Sequence, residues 1–285
     1  MNGEQKIVKE MKNMSKKPSC FETESSQSGC GCGAPSVEDV VKERYGQLWA
    51  SQTPNEPEQQ KKLASDMSAH DALIKELKPQ KGMKVLDIGS GSGVTVLAIA
   101  EKIGPTGKAV GIDFTPEGIA LAREKAKQRK LENIVEFHQA NAKELPFPDN
   151  TFDAVISECV VCLIEDKQKT LNEKVRVLKP GGRVIMHDVI IWAPMPSVMR
   201  ENQKLYCGCV GGAVDLDEYV EIMKKAGLTN IKTVDFSKSF RKTMNAGIIA
   251  QALELKEEKE FQNIVNFVRK GGLGYTLLVG TKRQS

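Results

Sequence analysis

The chain has 285 residues, 40% of them hydrophobic, which is enough to bury one sizeable packed core. Lysine and arginine total 41 against 37 acidic residues, giving a formal net charge of +4. Because this excess is small and no basic stripe is interleaved with aromatic residues, we expect no nucleic-acid partner. The sequence has no secretory leader pattern and no apolar run of membrane-spanning length, so we expect a cytoplasmic protein without a membrane partner.

The N-terminal part of the sequence predicts a tail followed by a helical cap. Residues 1–36 are polar and predict a flexible tail, within which Cys30 and Cys32 form a C-x-C pattern. This pattern is a weak signal for metal capture and fits incidental thiols equally well, and we expect no metal cofactor. Ser36 is placed to cap an amphipathic helix, so we expect residues 37–78 to form a helical cap.

From residue 79 the sequence alternates between strand and helix patterns. Near-continuous apolar runs occur at 84–89, 108–114, 134–141, 152–159 and 182–191, with helical segments between them. This alternation predicts a parallel sheet covered by helices on both faces. Two later strand patterns, at 231–237 and 275–282, flank a helical stretch and can close the sheet with an antiparallel edge strand. We therefore predict one α/β domain over 79–285, a doubly wound, mostly parallel seven-stranded sheet with an insertion at about 192–226.

A glycine-rich turn follows the first predicted strand. The segment DIGSGSG at 87–93 opens a helix, and its glycines let the backbone turn sharply and approach a ligand closely. Counted from Gly89, the third glycine of a nicotinamide fingerprint would fall on Val94, so the spacing fits a dinucleotide poorly. Asp113 ends the second strand, where a carboxylate can accept both hydroxyls of an adenosine ribose. NAD enzymes also place an acidic residue there, so Asp113 alone does not distinguish the two cofactors.

Four sequence blocks together are similar to a known class of enzymes. VLDIGSGSG, GIDF, AKELPFPDNTFDAV and RVLKPGGRVIMHD, in this order over residues 80–190, closely resemble the Rossmann-like S-adenosylmethionine methyltransferases. The resemblance implies S-adenosylmethionine as the cofactor, with its amino-acid half on the 89–91 loop and its ribose on Asp113. It further implies that Phe114 packs on adenine and that Asn141 and Ala142 contact the adenine edge.

Four cysteines fall beyond the carboxyl ends of the predicted strands, where ligands of such sheets bind. Cys159 and Cys162 follow the fourth strand, and Cys207 and Cys209 lie in the segment LYCGCVGGA after the fifth. In a cytosolic chain they are expected to be reduced, and each alone is commonly a small buried hydrophobe. As thiolates, they are also soft ligands that suit metal or metalloid centres.

The cysteine-bearing segments resemble the arsenite methyltransferases. SGSG, VISECVVCLIEDKQ, GCVGGA and the helix VKERYG carry this resemblance over residues 38 to 226. It implies that Cys159 and Cys209 bind trivalent arsenic as the small-molecule substrate, with Cys162 or Cys207 as a further ligand. It also implies a cellular thiol reductant as a partner, and that Tyr45 covers the cofactor. The full cofactor set we expect is Tyr45, Asp87, Gly89, Ser90, Gly91, Asp113, Phe114, Asn141, Ala142 and Glu158.

The sequence departs from that family in ways that leave the acceptor open. No cysteine lies between Gly33 and Glu158, where the family carries one, and Glu158 stands where the family has asparagine. Three kinds of acceptor stay open. The acceptor is arsenite, with a third thiol ligand from elsewhere in the chain, or methylarsenite, which needs only two thiols, or a molecule that does not contain arsenic.

Two alternatives fit the same cofactor motifs. One is a methyltransferase for a small organic acceptor such as a quinone precursor or a thiol, with the cysteines as packing residues. Such a reaction needs a positioned base or an acidic acceptor. We expect His138 and His187, within strands, to be structural, and His70, on a helix before the domain, is no better a candidate base. The other is a non-catalytic thiol protein that binds soft metals, against which the intact glycine turn and Asp113 argue.

Overall fold

The computed structural model describes residues 36–53, 67–252 and 258–284. The predicted tail, with Cys30 and Cys32, lies outside the described residues apart from Ser36, so the tail stays a prediction. Within the described ranges no helix is both long and apolar enough to cross a membrane.

The helices and strands alternate along the described chain much as the sequence predicts. The helices are α1 (Val37–Ala50), α2 (Met67–Leu77), α3 (Val94–Ile103), α4 (Pro116–Gln128), α5 (Lys167–Val177), α6 (Ser197–Glu201), α7 (Gln203–Cys207), α8 (Leu216–Lys225), α9 (Ser237–Ala252) and α10 (Glu258–Arg269). The strands are β1 (Lys84–Ile88), β2 (Lys108–Asp113), β3 (Val135–Gln139), β4 (Phe152–Glu158), β5 (Leu178–Ile191), β6 (Val214–Asp215), β7 (Leu228–Asp235) and β8 (Leu273–Lys282). A short 3-10 helix, Val161–Leu163, follows β4.

The strands form one mostly parallel sheet in the order β3-β2-β1-β4-β5-β8-β7, with β6 paired to β5. Strand β8 runs antiparallel to both β5 and β7. This confirms the predicted doubly wound α/β fold. The structure adds the two-residue β6 to the seven predicted strands, and the reversed strand β8 lies one position inside the edge, which β7 forms.

Successive strand residues point to opposite faces of the sheet, and helices cover both faces, so the side chains on both are buried. In β1, Val85 packs with the helices α2 and α3 on one face. Its neighbour Leu86 packs on the other face, with residues of α5 and α8. This two-sided burial explains why the strands read as near-continuous apolar runs.

The chain order reverses between β1 and β4, and this fixes the position of the candidate site. From β1 the sheet grows through β2 to β3 in one direction, and from β4 through β5 in the other. In open α/β sheets, ligands bind in the crevice at the carboxyl ends of the strands at such a switch point. The turns after β1 and β4 therefore meet at the place where a ligand is expected.

Gly111 in β2 and Gly247 in α9 give a matched test of this packing. A methyl group on Gly111 would lie 2.6 Å from the Ser90 Oγ beneath the glycine turn, whereas one on Gly247 would meet nothing within 4 Å. We expect Gly111→Ala to lower the free energy of unfolding by about 1–3 kcal/mol through overpacking. Gly247→Ala should raise it by about 0.5–1 kcal/mol through helix propensity. Urea unfolding followed by circular dichroism measures both, and equal midpoints would contradict the crowding at Gly111.

Candidate active site

The turn after β1 depends on glycines at three positions. Gly89, Gly91 and Gly93 have φ angles of 74°, 49° and 78°, which side chains rarely adopt. A Cβ at Gly89 would lie 2.3 Å from Val160 Cγ2 in the turn after β4. The backbone N–H groups of Gly89 and Ser90 both donate to the Ile112 carbonyl at 2.8 Å, which fixes the turn against β2.

Asp113 ties the end of β2 to this turn. Its Oδ2 accepts a hydrogen bond from the Gly91 N–H at 2.8 Å, and its Oδ1 accepts from the N–H and hydroxyl of Thr115. A carboxylate oxygen has more than one acceptor site, so Asp113 retains capacity for ligand hydroxyls. The glycine turn fits the amino-acid part of S-adenosylmethionine, and the Asp113 carboxylate fits its ribose.

The other expected cofactor residues lie around the same edge of the sheet. Asp87 is buried at the end of β1, where desolvation, reinforced by the charges of Glu158 and Asp113, raises its pKa well above the ordinary value. Phe114 directly follows β2, and Asn141 and Ala142 follow β3. Because β2 and β3 are parallel neighbours, these residues lie at one end of the sheet, beside Asp113.

Tyr45, which the family resemblance implies covers the cofactor, lies against the insertion that carries Cys207 and Cys209. Its hydroxyl donates to the Cys207 carbonyl at 3.3 Å, so the ring faces the thiol-bearing insertion. Its pKa is raised well above the ordinary value, chiefly by desolvation. From the same helix, Trp49 lies against the glycine turn, and its Cζ2 would be 2.5 Å from a Cβ on Gly91. No local pattern in the sequence indicates this contact, because Trp49 and Gly91 lie far apart in the chain.

Three of the four expected thiols converge, and the fourth does not. Cys159, Cys162 and Cys209 pack in one cluster, and the Cys209 Sγ donates to the Cys159 carbonyl at 3.5 Å. Cys207 instead packs with Val40 and Val41 of α1. Among the described residues, no group of three or more His, Cys, Asp or Glu side chains is arranged to hold a metal ion.

Their surroundings raise the pKa of all three thiols, which favours the protonated form. Desolvation raises the pKa of Cys162 to about 12. The pKa of Cys159 is raised well above the ordinary value by its interaction with the Cys209 thiol, with desolvation adding to the effect. An interaction with Cys159 lowers the pKa of Cys209, but the Cys162 thiol and desolvation outweigh it.

The two cysteines expected to bind arsenic share an unusual backbone conformation. Cys159 has a φ of 54° and Cys209 a φ of 67°, the left-handed region that residues with a Cβ rarely occupy. Non-glycine residues held in this region concentrate at functional sites. At Cys159 the strain is held by the β4–β5 pairing, since its N–H donates to the His187 carbonyl at 2.9 Å.

A polar cluster around Glu158 lies beside Cys159, and sequence reasoning missed it. The Glu158 carboxylate accepts from the Thr95 hydroxyl at 2.6 Å and contacts His70 Nδ1 at 2.9 Å. His187 Nε2 lies 3.1 Å away, at ion-pair distance but without hydrogen-bond alignment. Burial favours the neutral acid, but the contacts with His187 and His70 outweigh it and hold the pKa of Glu158 well below its ordinary value.

Tyr275 connects this cluster to the thiols. Its hydroxyl accepts from the Cys159 Sγ at 3.3 Å and is hydrogen-bonded to His187 Nδ1. Burial alone would lower the pKa of His187, but Cys159 and Glu158 raise it to about 9. No spacing in the sequence announces this cluster, because its members come from α2, α3, β4, β5 and β8.

The raised pKa of His187 predicts how stability depends on pH. This pKa rises from 6.5 to about 9 on folding, so protonation of His187 contributes to the stability of the fold. The contribution is complete below pH 6.5. That contribution is lost as the pH rises through about 9. We expect the free energy of unfolding, from urea titrations at pH 7 and 9, to fall less in His187→Gln than in the wild type. Salt at 1 M should not remove the difference, because buried pairs are poorly screened. Equal pH slopes would contradict the assignment.

Comparison with known proteins identifies the family. A methyltransferase domain model matches residues 79–227. An arsenite methyltransferase from Halobacterium salinarum is 39% identical over 151 residues, 53% of this chain and 38% of that protein. A demethylmenaquinone methyltransferase from Geobacillus sp. is 39% identical over 112 residues, 39% of this chain and 47% of that protein. The chain thus spans less than half the length of either relative.

A solved structure shows the same fold. The arsenic(III) S-adenosylmethionine methyltransferase of Chlamydomonas reinhardtii superposes with a TM-score of 0.55 at 23% identity, covering 78% of this chain and 75% of that one. The family match extends over half of the sequence and includes the glycine turn, Asp113 and all four candidate thiols. The chain therefore belongs to the methyltransferase domain family, in agreement with the predicted Rossmann-like fold and S-adenosylmethionine cofactor.

Proposed function

We propose that this methyltransferase transfers the methyl group of S-adenosylmethionine to trivalent arsenic held by the thiolates of Cys159 and Cys209. The observation that carries the proposal is the pairing of these thiols beside the glycine turn. The Cys209 sulfur contacts the Cys159 carbonyl at 3.5 Å, and both residues have positive φ angles. Gly89, in the turn itself, packs against Val160, the residue next to Cys159.

The residues of the donor side would hold the cofactor as follows. The 89–93 turn would take the amino-acid part, Asp113 the ribose, and the residues after β2 and β3 the adenine. When bound, S-adenosylmethionine supplies a methyl group activated by its sulfonium. The protein then has mainly to orient donor and acceptor, because proximity and alignment account for a large part of such a barrier.

The thiols can bind arsenic without an external base. Each S–H exchanges with an As–OH bond, forming S–As and releasing water, so the thiol proton leaves with the hydroxide. This suits Cys159 and Cys209, whose raised pKa values keep them protonated before the substrate arrives. Tyr275 would orient the Cys159 sulfur through its hydrogen bond, and Cys162, in the same cluster, would be the further thiol ligand.

The relatives support two acceptors. The arsenite methyltransferase match favours arsenic, whereas the demethylmenaquinone methyltransferase match favours a small organic acceptor such as a quinone precursor. The convergence of three thiols supports arsenic. A cellular thiol would keep the cysteines reduced. The cytoplasmic location stays a prediction.

Serine variants test the thiol mechanism. With arsenite, glutathione and methyl-labelled cofactor, we expect Cys159→Ser and Cys209→Ser each to lower the formation of methylated arsenic by about 100-fold. That loss corresponds to about 2.7 kcal/mol of transition-state stabilisation. Cys207→Ser is the matched control and should stay within about threefold of wild type, since Cys207 packs in a different cluster. Chromatography coupled to arsenic detection measures the products.

The same assay separates the rival acceptor. Turnover of arsenite that is equal in the wild type and both serine variants would exclude the thiolate mechanism. Label that enters a soluble demethylmenaquinone analogue, and not arsenic, in the wild type and both variants would establish the organic acceptor instead.

A further inference from the structure

We infer that Trp49 is a cofactor-binding residue, whose indole forms a wall of the donor pocket and whose Nε1 donates a hydrogen bond to bound S-adenosylmethionine. The inference rests on the donor named in the proposed function and is independent of the acceptor. Helix α1 would then contact S-adenosylmethionine through Trp49, a residue that belongs to none of the sequence motifs.

The indole lies in contact with two glycines from different elements. A Cβ on Gly91 would lie 2.5 Å from Trp49 Cζ2 and 3.0 Å from Cη2. A Cβ on Gly118, in the first turn of α4, would lie 3.0 Å from Trp49 Cδ1. The ring therefore bridges the glycine turn and the start of α4. Asp113, the expected ribose ligand, lies between these elements and bonds to the Gly91 N–H.

The indole nitrogen is the second observation, independent of the ring contacts. Trp49 Nε1 is buried and has no hydrogen-bond partner among the described residues. A buried tryptophan N–H usually finds a partner, and leaving it unpaired costs about 1–3 kcal/mol. The cofactor carries suitable acceptors in its ribose oxygens and its carboxylate. A donor left unpaired beside the glycine turn is explained if one of these oxygens accepts from it.

Helix α1, which carries the indole, is fixed to the rest of the domain by contacts along its length. A capping box between Ser36 and Asp39 starts the helix, and Glu38 forms an ion pair with Lys143 after β3. Near its C-terminal end, Tyr45 is fixed by its hydrogen bond to the Cys207 carbonyl. Because Tyr45 and Trp49 are four residues apart, they lie on the same face of the helix. The indole is therefore presented to the turn by an anchored element.

The tryptophan content allows a direct optical test. The chain has two tryptophans, and Trp192, at the end of β5, is 47% exposed. In a Trp192→Phe variant, the emission comes from Trp49 alone. We expect titration with S-adenosylmethionine, and with S-adenosylhomocysteine, to change this emission saturably, with a midpoint equal to the Kd from calorimetry.

Substitution of Trp49 completes the test. In Trp49→Phe, loss of the N–H should weaken cofactor binding by about tenfold in calorimetry, which corresponds to about 1.4 kcal/mol. Arsenite binding in the absence of cofactor should stay unchanged. Trp192→Phe is the matched control and should bind cofactor as the wild type does. Circular dichroism establishes that both variants are folded.

Three results would overturn the inference. The first is an unchanged Trp49 emission under conditions where calorimetry shows binding. The second is equal or tighter cofactor binding by Trp49→Phe, which would mean that the indole does not contribute or obstructs the pocket. The third is absence of cofactor binding in the wild type, which would also remove the proposed donor. If arsenite is not methylated but the Trp49 emission still changes on cofactor binding, the arsenic proposal alone is contradicted and this inference is unaffected.

Discussion

The close contact between Gly89 and Val160 is the constraint on which the candidate site depends. Because residue 89 has no side chain, the turn after β4 can lie directly against the turn after β1, with the Val160 methyl groups where a Cβ would otherwise project. The sheet topology makes β1 and β4 neighbours, and this contact brings their following turns together. The glycine turn and Cys159 are thereby placed side by side, and a bulkier residue at 89 would separate them.

Buried ionisable groups lie close to this contact. Lys174 of α5 is fully buried, and its ammonium donates to the Ser157 hydroxyl at 2.6 Å. Desolvation lowers its pKa to about 8, against the opposing charges of Asp188 and Asp87. The charges of both carboxyl groups act on this one ammonium, whose hydrogen bonds go to the Ser157 hydroxyl and the Met186 sulfur. Removing the ammonium would leave the buried carboxyl groups without this favourable charge, which is destabilising.

The sequence was informative where structure follows from local pattern. Apolar runs and intervening helices predict the parallel sheet, and the glycines at 89 and 91 predict a tight turn, because both signals reside in neighbouring residues. The position of β8 between β5 and β7 was not predictable, since it depends on the pairing of strands that are distant in sequence. The two residues of β6 form a strand only through their pairing with β5.

The same limit applied to the site. The glycine turn and Asp113 could be assigned from motifs, and three of the four predicted thiols do converge. By contrast, Glu158, His70 and His187 come together from separate elements, and no spacing connects them. His187, which was expected to be structural from its strand position, lies beside Cys159 because the sheet order places β5 against β4.

The backbone at the two thiols shows why a rigid frame is needed around them. A residue with a Cβ in the left-handed region costs on the order of 1 kcal/mol or more, so the strain at Cys159 and Cys209 persists only where the surroundings fix it. Cys159 is held from one side by the His187 carbonyl and from the other by Tyr275, both in the β5–β8 pairing. Cys209 is held by its own N–H, which donates to the Tyr206 carbonyl at 3.0 Å. The antiparallel strand that sequence reasoning could place only approximately is therefore the element that keeps the Cys159 thiol aligned beside the glycine turn.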